Sequence, residues 1–256
     1  MRGAALTHRE GPPQAEKFDL REAPPLHAQA DRVRVYVWEW PIRMAHWLMV
    51  LSLIVLSVTG YYVYRPFLIP AGGYVMAIMR FIHVVSGFVF VVAILLRICW
   101  MFRGNRWARW DQLVPTKSGR WTNLVQSAKY YSFLRWTPTP AIGHNALAGA
   151  AYTIVYTLAL IEIVSGLALY SNVLGSKFWA ILTGWPLRLI DIQYVREIHF
   201  ILMFGFWMFF LHHIYSSVLI ASEERAGVME SIFSGYKFVS EEDLQRESVS
   251  LPGAQE

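Results

Sequence analysis

Two histidines, His199 and His213, stand fourteen residues apart in Ile198–Ile220, a run without Asp, Glu, Lys or Arg. Imidazole can ligate a metal through one ring nitrogen while the other holds a hydrogen bond. On an α-helix, fourteen steps of about 100° return to the same face within about 40°. The 1.5 Å rise separates the two rings by about 21 Å along the axis. One ring therefore sits toward each side of a hydrocarbon core roughly 30 Å thick. Polar rings are costly in lipid, so a stacked pair on one face points to two ligand sites at two depths. His212 lies about 140° from His199 and points elsewhere.

The surrounding chain supplies the membrane setting. It has 256 residues, of which 55% are hydrophobic and 16% charged. Soluble domains carry about 25% charged residues. The net charge of +5 comes from basic residues flanking apolar runs, the pattern of loop bias rather than of a nucleic-acid partner. The single cysteine, Cys99, excludes an intrachain disulfide, a four-thiolate Fe–S cluster and C-x-x-C-H haem attachment. It reads as a small buried hydrophobe. No internal repeat and no sheet pattern is visible.

Four stretches are long enough to span a bilayer. They fall at about 43–64, 75–102, 141–170 and 195–221, and together form a membrane domain over 36–222. Residues 1–35 are polar, lack the apolar core of a signal peptide, and read as a disordered tail. Residues 223–256 read as a second tail. The connection between the second and third spans carries Arg103, Arg106, Arg109, Lys117, Arg120, Lys129 and Arg135. The positive-inside rule then puts that loop and both termini in the cytoplasm. Its interleaved Trp107, Trp110, Trp121 and Trp136 fit a segment in the headgroup region. The loop Ser171–Tyr194, on the other side, is apolar and aromatic. It fits either a stretch lying on the bilayer or a docking surface for an extracytoplasmic partner.

In this orientation His46 lies near the inner start of the first span and His83 near the outer start of the second. His199 is outer and His213 inner. The depths pair as His83 with His199 and His46 with His213. A lone histidine near a span end is commonly an interfacial polar residue, but two depth-matched pairs are what two stacked haems b require. Iron with two axial imidazoles has no open position and serves electron transfer. Gly60, fourteen after His46, faces the outer level, and Gly87 follows His83 by one turn; either would let a macrocycle approach the backbone. Gly205 lies between the ligands of the fourth span. Ordinary small-residue helix packing is the alternative for all three. Arg97, fourteen after His83, faces the inner level and is placed to pair with a haem propionate or to snorkel to the interface. His144 and Asn145 open the third span and are candidates for contact with a quinone, or an interfacial polar cap. Glu162 is a lone carboxylate inside that span; a proton relay, a haem neighbour and a partner contact all remain open.

The chain resembles the cytochrome b subunit of membrane-bound uptake [NiFe] hydrogenases, part of a group of di-haem membrane cytochromes that also serve formate dehydrogenase-type enzymes. The resemblance covers about Val35 to Tyr236. It rests on Pro41-Ile42-Arg43-Met44-Ala45-His46-Trp47, Arg80-Phe81-Ile82-His83, and Arg97 followed by Gly104-Asn105-Arg106. It also rests on Ile142-Gly143-His144-Asn145, Ser165-Gly166-Leu167-Ala168-Leu169-Tyr170-Ser171 and His213-Ile214-Tyr215. The resemblance implies an all-α membrane protein, a four-transmembrane-helix bundle holding two stacked haems b through His46, His83, His199 and His213. It implies an electron-transfer and anchor subunit in a bacterial inner membrane. Electrons would pass from the Fe–S small subunit and Ni-Fe large subunit of a hydrogenase to a quinone, with no hydrogenase active site in this chain. The alternative partner is a formate dehydrogenase. A zinc-type transporter or a structural membrane protein fits less well, because transport ligands gather at one depth.

Overall fold

The computed structural model describes residues 32–67, 73–114, 118–136, 141–224, 226–241 and 244. The expected disordered tail, residues 1–31 of it, lies outside the described residues. Four helices are long and apolar enough to cross a membrane, which makes this a multi-pass membrane protein. They are α1 (Trp40–Tyr64), α2 (Gly73–Arg103), α4 (Ala146–Leu174) and α6 (Ile192–Glu224, apolar to Ser222). Three shorter helices, α3 (Ser118–Tyr131), α5 (Lys177–Leu182) and α7 (Ser231–Ser234), lie outside the spans.

The helix ends follow from local chemistry. Pro41 sits in the first turn of α1, where its missing N–H costs nothing, and Pro66 follows just beyond its end. α4 starts at Ala146, five residues later than the apolar run predicts. Asn145 is its N-cap and accepts a hydrogen bond from the Ala148 N–H at 2.8 Å. Such a cap satisfies one of the orphan donors of the first turn and holds its own residue outside the helix. α4 then continues to Leu174, past the expected 170, and stops at Gly175, whose φ of 63° is left-handed.

The four spans form two packed pairs, α1 with α2 and α4 with α6, which meet more sparsely across the bundle. Phe90, Ile94, Ala159 and Phe206 join three of the helices in a buried mid-bundle cluster, with Met49, Leu53 and Leu56 of α1 against it. The Trp207 indole N–H donates to Ser57 Oγ at 3.0 Å and ties α6 to α1. Cys99 is exposed rather than buried. It shares an outward face of α2 with Val92 and Leu95, both also exposed. In a membrane helix an apolar face needs no protein cover, because lipid supplies it.

A second correction concerns the tails. Strand β1 (Arg32–Tyr36) pairs antiparallel with β2 (Tyr236–Ser240), with Val33 opposite Val239 and Tyr36 opposite Tyr236. The described parts of both expected tails, 32–35 and 226–241, therefore meet at one end of the bundle, here called the strand end. Five-residue strands joined across the whole chain leave no local sequence signature. Beneath them Val37, Trp38, Ile42, Ala108, Ile142 and Val239 form a second core. Polar links close it. The Trp38 indole donates to Ser231 Oγ at 3.1 Å. Glu39 Oε2 accepts from the Trp100 indole at 2.9 Å and from the Asn105 N–H at 2.7 Å.

The basic loop is partly built into this end. Arg120 donates to the side chain and carbonyl of Gln112. The Gln112 carbonyl lies so close to α4 that a Cβ on Gly149 would sit 2.5 Å from it. Trp136 and Phe133 remain exposed, as an interfacial segment requires.

Gly235 holds the strand end together. Its φ is 88°, and its carbonyl accepts from both Val37 N–H (2.8 Å) and Trp38 N–H (3.0 Å). A Cβ there would meet Tyr36 at 2.5 Å and the Trp38 carbonyl at 2.7 Å. Gly235→Ala is expected to destabilise the clamp by at least about 1–2 kcal/mol, the cost of a left-handed non-glycine residue. Limited proteolysis should then cut the C-terminal segment faster than in the wild type; an unchanged cleavage rate contradicts this role.

Candidate functional site

At the end of the bundle away from the strands, His83 of α2 faces His199 of α6, with ring centroids 6.3 Å apart and planes at 75°. Each ring is pinned through Nδ1. Thr59 Oγ1 lies 3.0 Å from His83 Nδ1, and its hydroxyl proton is directed at the Val55 carbonyl at 2.7 Å. The oxygen therefore accepts from the Nδ1–H. Ser165 Oγ lies 2.9 Å from His199 Nδ1 while donating to the Glu162 carbonyl at 3.0 Å. Glu162 Oε1 is a second acceptor at 3.2 Å. A hydroxyl whose proton is spent on its own helix fixes the proton of its histidine on Nδ1. The lone pair is then on Nε2, the tautomer of a metal-ligating imidazole with an outer-shell acceptor.

Glycines bring the rings close. A Cβ on Gly60 would lie 2.9 Å from His83 Cε1, and one on Gly166 3.0 Å from His199 Cε1. Gly60 is thus at the expected level, and the group resting against it is the imidazole of His83. Gly87 would meet only Leu56, at 4.0 Å, and Gly205 nothing within 4 Å.

Toward the strand end, His46 of α1 faces His213 of α6 at 6.4 Å between centroids, with planes at 56°. The Tyr152 hydroxyl lies 3.3 Å from His213 Nδ1, and Phe209 stacks on the same ring at 5.6 Å. His46 Nδ1 is buried without a hydrogen-bond partner among the described residues. The His212 ring turns to Tyr131 instead, at 6.4 Å.

The spacing of both pairs fits two imidazoles bound on opposite sides of one metal. With metal–nitrogen bonds of about 2.0 Å, such rings have centroids roughly 6 Å apart. Among the described residues no three His, Cys, Asp or Glu side chains gather into a metal cage. The donor set is two separate pairs of neutral nitrogen ligands, which suits a planar macrocycle whose own nitrogens complete the coordination.

Around the strand-end pair, the His144 ring lies between Trp38 (4.7 Å) and Tyr152 (4.6 Å). Asn145 has its Oδ1 engaged as the α4 cap. Arg97 is only 3% exposed; it donates to the Ala108 carbonyl at 3.1 Å and lies 5.7 Å over the Tyr156 ring. Among the described residues no carboxylate is within ion-pair distance of it.

The description of the prokaryotic cytochrome b561 family matches residues 37–235, nearly all of the folded chain. The chain belongs to this family. The b-type cytochrome is a haem b protein, in keeping with the paired imidazoles. The cytochrome is 34% identical over 216 residues to the probable Ni/Fe-hydrogenase B-type cytochrome subunit of Azotobacter vinelandii, covering 81% of this chain and 90% of that one. It is 35% identical to the subunit of the same name from Bradyrhizobium diazoefficiens (80% and 86% covered). To the probable Ni/Fe-hydrogenase 1 B-type cytochrome subunit of Escherichia coli K12 it is 32% identical (79% and 90%).

Sequence reasoning about this cytochrome missed Thr59, Ser165, Gly166 and Tyr152. Ser165-Gly166 formed part of the resemblance without a role. The signal available was a hydroxyl next to a glycine inside an apolar span, Thr59-Gly60 and Ser165-Gly166, twice at the same level.

Burial holds the His144 imidazole well below the ordinary histidine range, and Arg97, Lys237, His213 and Arg120 add repulsion toward a proton there. The unfolded chain takes up that proton near pH 6.5, whereas the folded one does so only at much lower pH. Stability contributed by neutral His144 is therefore lost as pH falls below 6.5, by up to about 1.4 kcal/mol per unit. Thermal unfolding in detergent at pH 7.5 and 5.5 should show a drop in Tm for the wild type and a smaller one for His144→Gln. Equal drops contradict the assignment.

Proposed function

We propose that this cytochrome is the di-haem b electron-transfer and membrane-anchor subunit of a hydrogen:quinone oxidoreductase complex. The observation that carries the reading is the pair of facing histidines at each of two levels, His83/His199 and His46/His213. In each pair the rings are spaced for one metal. Haem b supplies a one-electron couple, and two axial imidazoles leave its iron no site for oxygen chemistry.

The chain's own residues do the rest. His83 and His199 would hold the outer haem and His46 and His213 the inner one. Thr59 and Ser165 keep the outer rings in the ligating tautomer. Gly60 and Gly166 let those rings rest against backbone; Gly87 leaves the neighbouring face of α2 open. Arg97 is buried without a carboxylate partner among the described residues, at the level of a haem propionate it would neutralise. Phe90, Ile94, Ala159 and Phe206 keep water out of the space between the levels.

The basic loop and both termini lie on the cytoplasmic side of a bacterial inner membrane, by the charge bias of the loops. The membrane domain then runs over 36–222, with its strand end inward. Hydrogenase partners, an Fe–S small subunit and a Ni-Fe large subunit, dock on the opposite side. The relatives named as Ni/Fe-hydrogenase B-type cytochrome subunits favour this partner over a formate dehydrogenase. Quinone is reduced near the strand end. There His144 offers a ring nitrogen beside Tyr152, while the Asn145 oxygen is committed to its helix.

The test is a spectrum of the complex in its membrane. Hydrogen should reduce b-type absorbance and added quinone should reoxidise it, with two haems b per chain in the purified protein. His213→Ala should keep one haem and lose quinone turnover, whereas His212→Ala should keep both. One haem in the wild type, or two in His213→Ala, overturns the reading.

A further inference from the structure

We propose that Glu162 is a positioning residue that acts through His199 to hold the outer iron at the lower of the two haem potentials. The inference rests on the di-haem reading above. Four imidazoles make up the two levels, and their outer-shell partners are unequal. His83 Nδ1 meets a neutral hydroxyl, Thr59 at 3.0 Å. His213 Nδ1 meets a phenol, Tyr152 at 3.3 Å. Among the described residues His46 Nδ1 meets no hydrogen-bond partner, and His199 Nδ1 alone meets a carboxylate, Glu162 Oε1 at 3.2 Å, together with Ser165 Oγ at 2.9 Å.

The carboxylate has little else to do. Its second oxygen, Oε2, is buried without a hydrogen-bond partner among the described residues. A carboxylate inside a span is costly, and a structural role would satisfy both of its oxygens. α4 places Glu162 and Ser165 three residues apart, on the face that meets His199. Gly166, the next residue, removes the Cβ that would push the ring away. Glycine, hydroxyl and carboxylate together aim at one nitrogen.

The consequence is electronic. Glu162 acts here as an ionised carboxylate beside the loaded haem; a charge-assisted acceptor then draws the Nδ1 proton more strongly than a neutral one, and more so in a low-dielectric surround. The imidazole then becomes a stronger donor at Nε2, which favours Fe(III) over Fe(II) and lowers the potential. At the inner level the weaker and missing partners leave the ligands less basic and the potential higher. One electron lost by the outer iron and gained by the inner one therefore moves downhill, away from the docked partner and toward the strand end.

Potentiometric titration of the full-length protein in its complex tests this, followed optically and by electron paramagnetic resonance. The outer haem is identified as the one that survives in His213→Ala. In the wild type it should have the lower potential. Glu162→Gln should raise that potential and leave the inner one where it was. Glu162→Asp, which keeps the charge but withdraws it from Nδ1, should raise it less and serves if the glutamine variant fails to load haem. An outer potential unmoved in the loaded variant, or an inner potential that moves equally, overturns the role of Glu162 while leaving the di-haem reading intact. A wild type with one haem per chain overturns both.

Discussion

The architecture depends on α6 being one uninterrupted helix. It runs from Ile192 to Glu224 and carries one histidine of each pair. Its pitch sets the separation of the two levels at about 21 Å and keeps both rings on one face. A single inserted residue between them would turn one ring by about 100° and break a pair. The facing histidines must then come from helices entering from opposite ends. α1 and α2 meet that condition as an antiparallel hairpin: His46 lies near the start of one, His83 near the start of the other. This is why three helices suffice for four facing histidines, and why α4 is free to set Ser165, Glu162 and Tyr152 beside two of them, while Thr59 of α1 serves His83.

Close approach is the second requirement, and small residues meet it. Gly60 and Gly166 sit where a Cβ would meet an imidazole carbon at 2.9 and 3.0 Å. Next to each is a hydroxyl whose proton already serves its own helix, so its oxygen can only accept from the ring. Leaving a buried donor without such an acceptor costs about 1–3 kcal/mol. The strand-end level is built differently, with a phenol on one ring and, among the described residues, no partner on the other. The two levels are therefore chemically distinct environments within one bundle. At the strand end, Glu39, Asn105 and Trp100 bind the loop after α2 to the start of α1. Trp38 and Ser231 bind the C-terminal segment there as well. Among the described residues that end is a folded cap.

The four spans and the pairing of histidines by depth were legible because both follow from helical periodicity and hydrocarbon thickness. The same periodicity placed Gly60 at the level of His83, against whose ring it lies, and Arg97 fourteen residues from that histidine. The hydroxyl partners were not. Ser52, Ser57, Thr59 and Ser165 all bond to carbonyls of their own helices, and only tertiary contact separates the two that also reach an imidazole. The β1–β2 pairing was illegible because each strand is short and its partner lies about two hundred residues away. The start of α4 was misread because Ala141, Ile142 and Gly143 continue the apolar run, while the Asn145 cap sets the boundary. Cys99 was misread by carrying a soluble-protein rule into a helix whose outer face meets lipid.

A density map of the complete membrane complex, at a resolution that shows porphyrin planes, tests the central claim most directly. The account predicts one plane held between His83 and His199 and a second between His46 and His213, each iron bound through Nε2. A single plane, or an iron ligated by any other side chain, contradicts it.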